Sequence, residues 1–600
     1  MQTTRLMTAL AAGSLLCAGG CRDIEGGLDA SNPARGPGQL VGNGDPINTA
    51  GFHGGDDPLP VAAEVTPPTG GAIECDGDCR AYCDSLGLQN PVNIGACSSL
   101  WGVGMQTQVI DRTEACRRLY VDMLGRYPTP GEVNDVCDQA SWGDTVDTLM
   151  ADPAFTNIQQ RRWADLLLYN NRAVSFERAW DMDDLVRKTY EGRVAWDLFA
   201  AVTSAHPILV RRHDNAEDRA DALFELFLHR PPYQYERSDM GRLYNLWTNG
   251  YWEHPYAGVL PDAYIRYECL DDNDNPNPEL AGPCTSIEWG FNQLILTPDN
   301  RAEPDGEQEG TMWSGYLSAD EWEKLQAPGR VISTMPTFWE AAVDDVLMQY
   351  FGYDLGTEVP EIRHQLVTYL LEYGGDIRSV HYAVATSALY LQSSRGGMSS
   401  EYDWTHGPLK QIQVEPWIDS ITQGTGYDLS TCDYRLPFPE DYLGDEGQEW
   451  TRAMVRNSNW EVDPNGELLT DYRDLARALG GCPTNEVSSR FTTVSILNTA
   501  LQEVIALNVC GVDPQSLGDA VDVASLLPQG MSPNTALTDE VAQEILQRET
   551  RLFLGREPTT EEMDAVLVHA NECSPQPCTA ETFARPVCFV LLSSSEMLFY

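Results

Sequence analysis

The chain reads as mainly α: a multi-helical protein with repeated helix–Gly–capped-helix corners and an irregular, loop-rich middle segment. Three observations predict this. Apolar residues recur at helical spacing through two long stretches, one corner motif is written twice and echoed a third time, and helix start and stop signals stand where the periods break.

The first corner is CRRLYVDMLGRYPTPGE, residues 116–132. Cys116, Leu119, Tyr120, Met123 and Leu124 fall at i, i+3, i+4, i+7 and i+8, one apolar helix face. Gly125 stands where a helix ends in a left-handed residue, a conformation that costs glycine nothing, and Pro128 blocks continuation. Thr129-Pro130-Gly131-Glu132 reads as a capping box with proline at the first helical position. The second copy is RLFLGREPTTEE, residues 551–562, where Gly555 ends one helix and Thr559 with Glu562 caps the next. In a degraded third echo, residues 220–247, His229 replaces the glycine and Pro231-Pro232 is the breaker. His229 reads as a helix C-terminal histidine favoured by the dipole rather than as a ligand.

Taken in order, residues 1–20 form a lipoprotein signal peptide. Arg5 supplies the positive start, 6–16 is a short apolar run, and Ala18-Gly19-Gly20 precedes Cys21, the expected lipid attachment point. Ordinary secretory cleavage is the alternative. Arg22 after the cysteine favours sorting to the outer membrane, on its periplasmic face or at the cell surface. Residues 21–72, rich in Gly, Pro and Asp, read as a flexible tether. An N-terminal helical domain follows over 73–250, an irregular acidic and aromatic segment over 251–335, and a C-terminal helical domain over 336–600. Within them, helical periods are expected at 145–150, 157–171, 181–204, 339–350, 361–373, 472–479, 487–508 and 538–553. One helix capped by Asp376 is expected to run through 376–394, with Ile377, Val380, Val384, Ala388 and Leu391 on its apolar face and His381 beside it as a packed core-edge residue.

Asp and Glu number 90 against 39 Lys and Arg, a formal charge of −51. Such a surface repels nucleic acid and anionic lipid, so neither is an expected partner. Sixteen cysteines include Cys17 in the leader and Cys21 at the anchor, leaving an even number behind an export signal, which reads as disulfides. Cys116 and Cys137 lie nine residues before Gly125 and twelve after it, at similar heights on two antiparallel helices, and should pair. Cys269 with Cys284 should close an acidic loop, and Cys573 with Cys578 or Cys588 another. Cys75, Cys79 and Cys83, with Cys97 beyond, fit no zinc or iron–sulfur spacing and read as disulfide partners of other segments.

Asp271, Asn273, Asn275 and Glu279 approximate the oxygen-ligand spacing of a calcium loop. Pro276 replaces the turn glycine, however, and Gly282 stands where the bidentate glutamate belongs, so a solvated turn fits better. There is no G-x-S-x-G, H-E-x-x-H, phosphate loop or G-x-G-x-x-G, and no two histidines sit at i, i+3 or i+4. No catalytic residue is assigned. Aromatics clustered at 247–267 and 313–322 make the middle region the candidate binding surface or cleft, against the alternative that they fill a small core.

RRLYVDMLGRYPTPGEV followed by RRWADLLLYN resembles the domain-of-unknown-function family fifteen-forty-nine. VDDVLMQYFGYDLG, HQLVTYLLEYGGDIRSVHYAVATSALYLQSS and GPLKQIQVEPWIDSI, with the late LGREPTTEE and LLSSSEMLFY, resemble family fifteen-fifty-three. The resemblance implies an architecture typical of planctomycete-type surface proteins, often linked to c-type cytochromes, without an established activity. Relatives commonly carry a C-x-x-C-H-like segment. This chain has none, which argues against covalent haem. The expectation is therefore a disulfide-stapled acidic outer-membrane lipoprotein with a surface binding or structural role and no cofactor. Its candidate partners are an envelope protein or a polysaccharide. The alternatives are a carbohydrate-acting or other hydrolytic enzyme with its cleft near the middle segment, and a scaffold for a separate cytochrome.

Overall fold

The computed structural model describes residues 88–100, 112–137, 141–167, 176–210, 213, 215–251, 326–391, 410–427, 481, 496–512, 520–570 and 577–600. Among the described residues there are 22 helices and no strand, and no helix is long and apolar enough to cross a membrane.

Helix α1 (Pro91–Leu100) is followed by α2 (Arg112–Leu124), which stops because Gly125 turns left-handed at φ 69°. Thr129 and Glu132 then cap each other reciprocally. The Thr129 amide donates to the Glu132 carboxylate at 2.7 Å and the Glu132 amide donates to Thr129 Oγ1 at 3.3 Å. This box starts α3 (Pro130–Glu132), which widens into a π turn over Val133–Cys137. The corner brings Cys137 back to Cys116, and the two form a disulfide with Cα atoms 5.7 Å apart.

Helices α4 (Trp142–Met150), α5 (Pro153–Leu167), α6 (Phe176–Tyr190), α7 (Trp196–Ala205), α8 (Pro207–Val210), α9 (Ala216–Leu228) and α10 (Gln234–Tyr251) complete the first stretch. The single period expected over 181–204 is two helices. Gly192 at φ 76° breaks the run, and the Trp196 amide is recaptured by Gly375 O at 2.9 Å.

Next come α11 (Ala327–Ile332), α12 (Pro336–Phe351), α13 (Leu355–Glu358), α14 (Pro360–Glu372) and α15 (Ile377–Ala385). The helix expected over 376–394 ends at Ala385, and 386–391 is turn. Side chains take the backbone partners that would have continued it. Thr386 Oγ1 and Ser387 Oγ donate to the carbonyls of Tyr382 and Val384 (2.7 and 2.8 Å), Asn93 Oδ1 accepts the Ala388 amide at 2.8 Å, and Ser387 Oγ accepts the Tyr390 amide at 3.1 Å.

Helices α11 to α15 and α1 to α10 share one core. Trp163, Trp196, Phe199 and Phe227 pack with ring centroids 4.6–6.2 Å apart, Trp196 stacked on Phe199 and the other pairs edge-on or tilted, and Phe338 of α12 meets Phe227 at 6.1 Å. Two glycines let backbones touch across this core. A Cβ on Gly95 would fall 2.6 Å from Ile362 Cα, and one on Gly329 would fall 2.4 Å from Ala200 O. The helices on either side of the 251–325 stretch are therefore interleaved.

A second core is built by α16 (Val414–Thr425), α17 (Ile496–Cys510), α18 (Val523–Leu526), α19 (Asp539–Leu554), α20 (Thr560–Ala570), α21 (Ala580–Leu592) and α22 (Ser595–Leu598). It buries Trp417, Ile421, Ile505, Phe553 and Leu592, and receives Val121 and Tyr127 from the first corner. Cys510 and Cys588 form a disulfide inside it, with Cα atoms 5.8 Å apart. That bond removes Cys588 as a partner for Cys573. Cys97 and Cys578 are also disulfide-bonded. Lys410 and Ile412 run antiparallel to Tyr600 and Leu598: the Lys410 amide donates to Tyr600 O, the Tyr600 amide to Lys410 O (both 3.0 Å), and the Ile412 amide to Leu598 O at 2.8 Å.

Cys21, the tether, Cys75, Cys79, Cys83, Cys269, Cys284, Asp271, Asn273, Asn275, Glu279, Cys573 and the expected helix at 472–479 lie outside the described residues, as does most of the aromatic middle region.

Candidate functional site

All three corners are closed by the same clasp, which the sequence reading missed. An arginine one residue past the left-handed position grips the capping glutamate six residues on with both terminal nitrogens. The distances are 2.8 and 2.6 Å for Arg126–Glu132, 2.7 and 2.7 Å for Arg230–Glu236, and 2.9 and 2.7 Å for Arg556–Glu562. In each, the arginine also donates to the carbonyl of the next residue, Tyr127, Pro231 or Glu557. Arg556 holds the Glu562 carboxyl down to about 2. The repeated spacing of six was present in the sequence as a signal.

The corners differ in what they meet. Gly555 lies where a Cβ would be 3.5 Å from Pro128 of the first corner, and Glu596 of α22 is held by Arg556 (2.6 Å) and by Arg117 of α2 (3.4 Å). At the third corner His229 adopts the left-handed conformation itself, at φ 52° and ψ 29°. Its Nε2 sits 3.2 Å from Asp345 Oδ1 of α12, so it faces a carboxylate as well as the end of its helix.

Among the described residues, a dense buried polar cluster lies between the two cores, on the last turn of α2. Asp122 is buried, and its carboxylate accepts a hydrogen bond from Lys410 Nζ, one from Tyr390 Oη at 2.7 Å and one from Tyr600 Oη at 2.9 Å. Lys410 Nζ also donates to Gln349 O at 3.0 Å and lies 4.6 Å from the Tyr600 ring centroid. Gln349 Nε2 donates back to Asp122 O at 2.9 Å, and Arg162 donates to Gln349 Oε1. Arg118 donates to Tyr390 O at 2.8 Å.

Local structure explains each placement. Lys410 and Tyr600 are presented together by their antiparallel pairing, and Tyr390 by the turn that ends α15 early. Gln349 comes from the end of α12. Burial pushes the Lys410 amine down to about 8 despite the opposing pull of Asp122. Burial also raises the Asp122 carboxyl against the stabilising Lys410 and tyrosine contacts, and lifts the Tyr390 and Tyr600 hydroxyls well above their ordinary range.

A lysine with a depressed pKa beside a carboxylate has the elements of a proton-transfer or amine centre. Here its donors are directed to Asp122, a backbone carbonyl and an aromatic face. The chemistry is that of a buried ion-pair lock joining four stretches of chain.

Two of the other buried titratable groups stand apart from this cluster. His381, expected at the core edge, is fully buried: its Nδ1 meets Tyr350 Oη at 3.1 Å and its ring stands edge-on to Phe155 and Tyr190 at 5.3 and 5.6 Å. Burial drives its basicity well below the ordinary value, so it is a neutral core imidazole. Glu549 of α19 is also fully buried, with neither carboxylate oxygen hydrogen-bonded, and burial raises it well above the ordinary value. Among the described residues no group of three or more His, Cys, Asp or Glu is placed to hold a metal.

No curated protein and no solved structure matches the chain. Residues 104–239, which hold α2 with Asp122, the first corner and the third, match the family model PSCyt2, described as a protein of unknown function (DUF1549).

Proposed function

We propose that this protein is a non-enzymatic binding or structural component of the outer membrane, exported, lipidated at Cys21 and held away from the bilayer by residues 21–72. One observation carries the non-enzymatic reading: the buried ionisable cluster of Asp122 with Lys410, Tyr390 and Tyr600 is closed on itself. Its groups hold chain segments together and face one another. Disulfides at Cys116–Cys137 and Cys510–Cys588 support passage through an oxidising compartment. The formal charge of −51 supports a surface that stays solvated and repels nucleic acid. An envelope protein or polysaccharide is the partner class this surface suits.

The test is metabolic palmitate labelling of the full chain with membrane fractionation. Lipid label in the outer-membrane fraction, lost in Cys21→Ser, is the expected result. An unlabelled, freely soluble chain overturns the anchoring. Turnover of any glycan or ester panel that disappears in Lys410→Met while the fold persists overturns the non-enzymatic reading.

A further inference from the structure

We propose that His229 and Asp345 form a pH-operated clip that holds the third corner on α12, closed while the imidazole carries its proton and loosened when it gives that proton up. Three observations converge on it. First, His229 is the one non-glycine residue with positive φ among the described residues, where both sister corners use glycine. A histidine accepts this conformation less readily than glycine does, so the position retains an imidazole against the backbone preference. Second, the conformation delivers Nε2 to 3.2 Å from Asp345 Oδ1. Third, the surroundings favour the cation. Asp344 and Asp345 face it from α12 and Asp354 from the turn before α13. Opposing them, Arg363 of α14 engages Asp344 at 2.8 Å and reaches Asp354 at 3.6 Å, and the neighbouring Arg230 is taken by Glu236.

The hydrogen bond and charge of Asp345, with Asp344 and Asp354 adding to them, raise His229 above its ordinary value against the opposing effect of burial. The sign follows from linkage. A raised basic group contributes its full stabilisation below the unfolded value of about 6.5 and loses it as pH climbs through the higher folded value. The clip therefore opens toward alkaline pH.

What it governs is the segment it holds. Tyr233 and Tyr235 follow directly, 61% and 66% exposed, with rings parallel within 12° and centroids 5.8 Å apart. Arg230 lies 5.0 Å from the Tyr233 ring. With the clip closed, this aromatic pair is tied to α12 through the corner; with it open, the corner loses that tie and keeps the Arg230–Glu236 clasp and the pairs of Arg237 with Asp221, Glu217 and Asp218 on α9.

The experiment is hydrogen-exchange protection of amides 233–237 from pH 6 to pH 9, corrected for intrinsic exchange, with amides 559–563 of the second corner as the internal control. The wild type should lose protection several-fold at the third corner and hold it at the second. His229→Gly, which fits the left-handed backbone, and Asp345→Asn should each flatten the third-corner profile. A wild-type profile as flat as the control overturns the clip, and so does an unchanged pH-dependent loss in both variants.

Discussion

Two sites each bury a carboxylate, Asp122 where the two cores meet and Glu549 on α19, yet they treat it in opposite ways. In the first, Asp122 is met by a lysine and two tyrosine hydroxyls drawn from segments hundreds of residues apart. In the second, Glu549 is fully buried and neither of its oxygens accepts a hydrogen bond. The difference shows two solutions to the cost of burying an acid: bring it counter-charge and donors, or keep it protonated. The first makes the acid a joint between segments. The second makes it sensitive to pH.

Removing the second-core staple should have the largest effect. Cys510 and Cys588 are 78 residues apart, and opening a loop of that size costs about 4.5 kcal/mol in the chain-entropy estimate. Cys116 and Cys137, only 21 apart, should cost about 3 kcal/mol. Urea unfolding of Cys510→Ser/Cys588→Ser against Cys116→Ser/Cys137→Ser ranks them, and equal losses would show that loop closure does not set the order.

Asp122→Asn follows, at about 3–5 kcal/mol, because it leaves Lys410 buried without its counter-charge. The double variant Asp122→Leu/Lys410→Met should recover most of that loss, since an apolar pair of similar volume avoids the desolvation of both charges. If the double variant were as unstable as the single one, the lock would be more than an ion pair.

Glu549→Leu should move the other way and stabilise by about 1–3 kcal/mol, by removing a buried polar group that has no partner. Above about pH 4.5 the unfolded chain has released the Glu549 proton while the folded chain keeps it, so wild-type stability should fall as pH rises toward the folded value. Glu549→Gln should remove one proton's slope from the pH dependence of Tm. A wild-type slope unchanged in that variant would mean Glu549 has a partner after all.

The smallest effect belongs to the corners. Gly555→Ala places a Cβ in a left-handed residue at φ 64° and should cost about 1 kcal/mol, read as a fall in Tm. His229→Gly relieves the matching preference at the third corner, and at pH 9 it should leave Tm equal or higher.

Local features were legible in the sequence because local chemistry determines them. Gly125, Thr129 and Glu132 announce a corner within a few residues of one another, and two helices about that corner bring Cys116 to Cys137. The Arg126–Glu132, Arg230–Glu236 and Arg556–Glu562 clasps are as local and repeat at fixed spacing, so the sequence carries their signal beside that of the cap. Glu549 lies on the buried stripe of α19 with Ile545, Leu546, Leu552 and Phe553, a visible polar residue in an apolar row. The Asp122 lock was not readable. Its partners stand 268, 288 and 478 residues away, and which acid meets which base at that range is decided by packing. The early end of α15 was hidden for the same reason, since Asn93, far upstream, takes the Ala388 amide.

The seat of α1 carries a consequence for how the molecule is assembled. Gly95 lies flush against the backbone of Ile362, and Asn90 donates to Ala383 O, 293 residues further along. A chain emerging amino end first must carry this helix unhoused until the later one arrives. Such delayed, distant contacts slow folding and leave greasy surface open to wrong partners. The order of synthesis and the order of assembly are out of step, and a holdase that shields residues 91–97 in the interval would be the natural remedy.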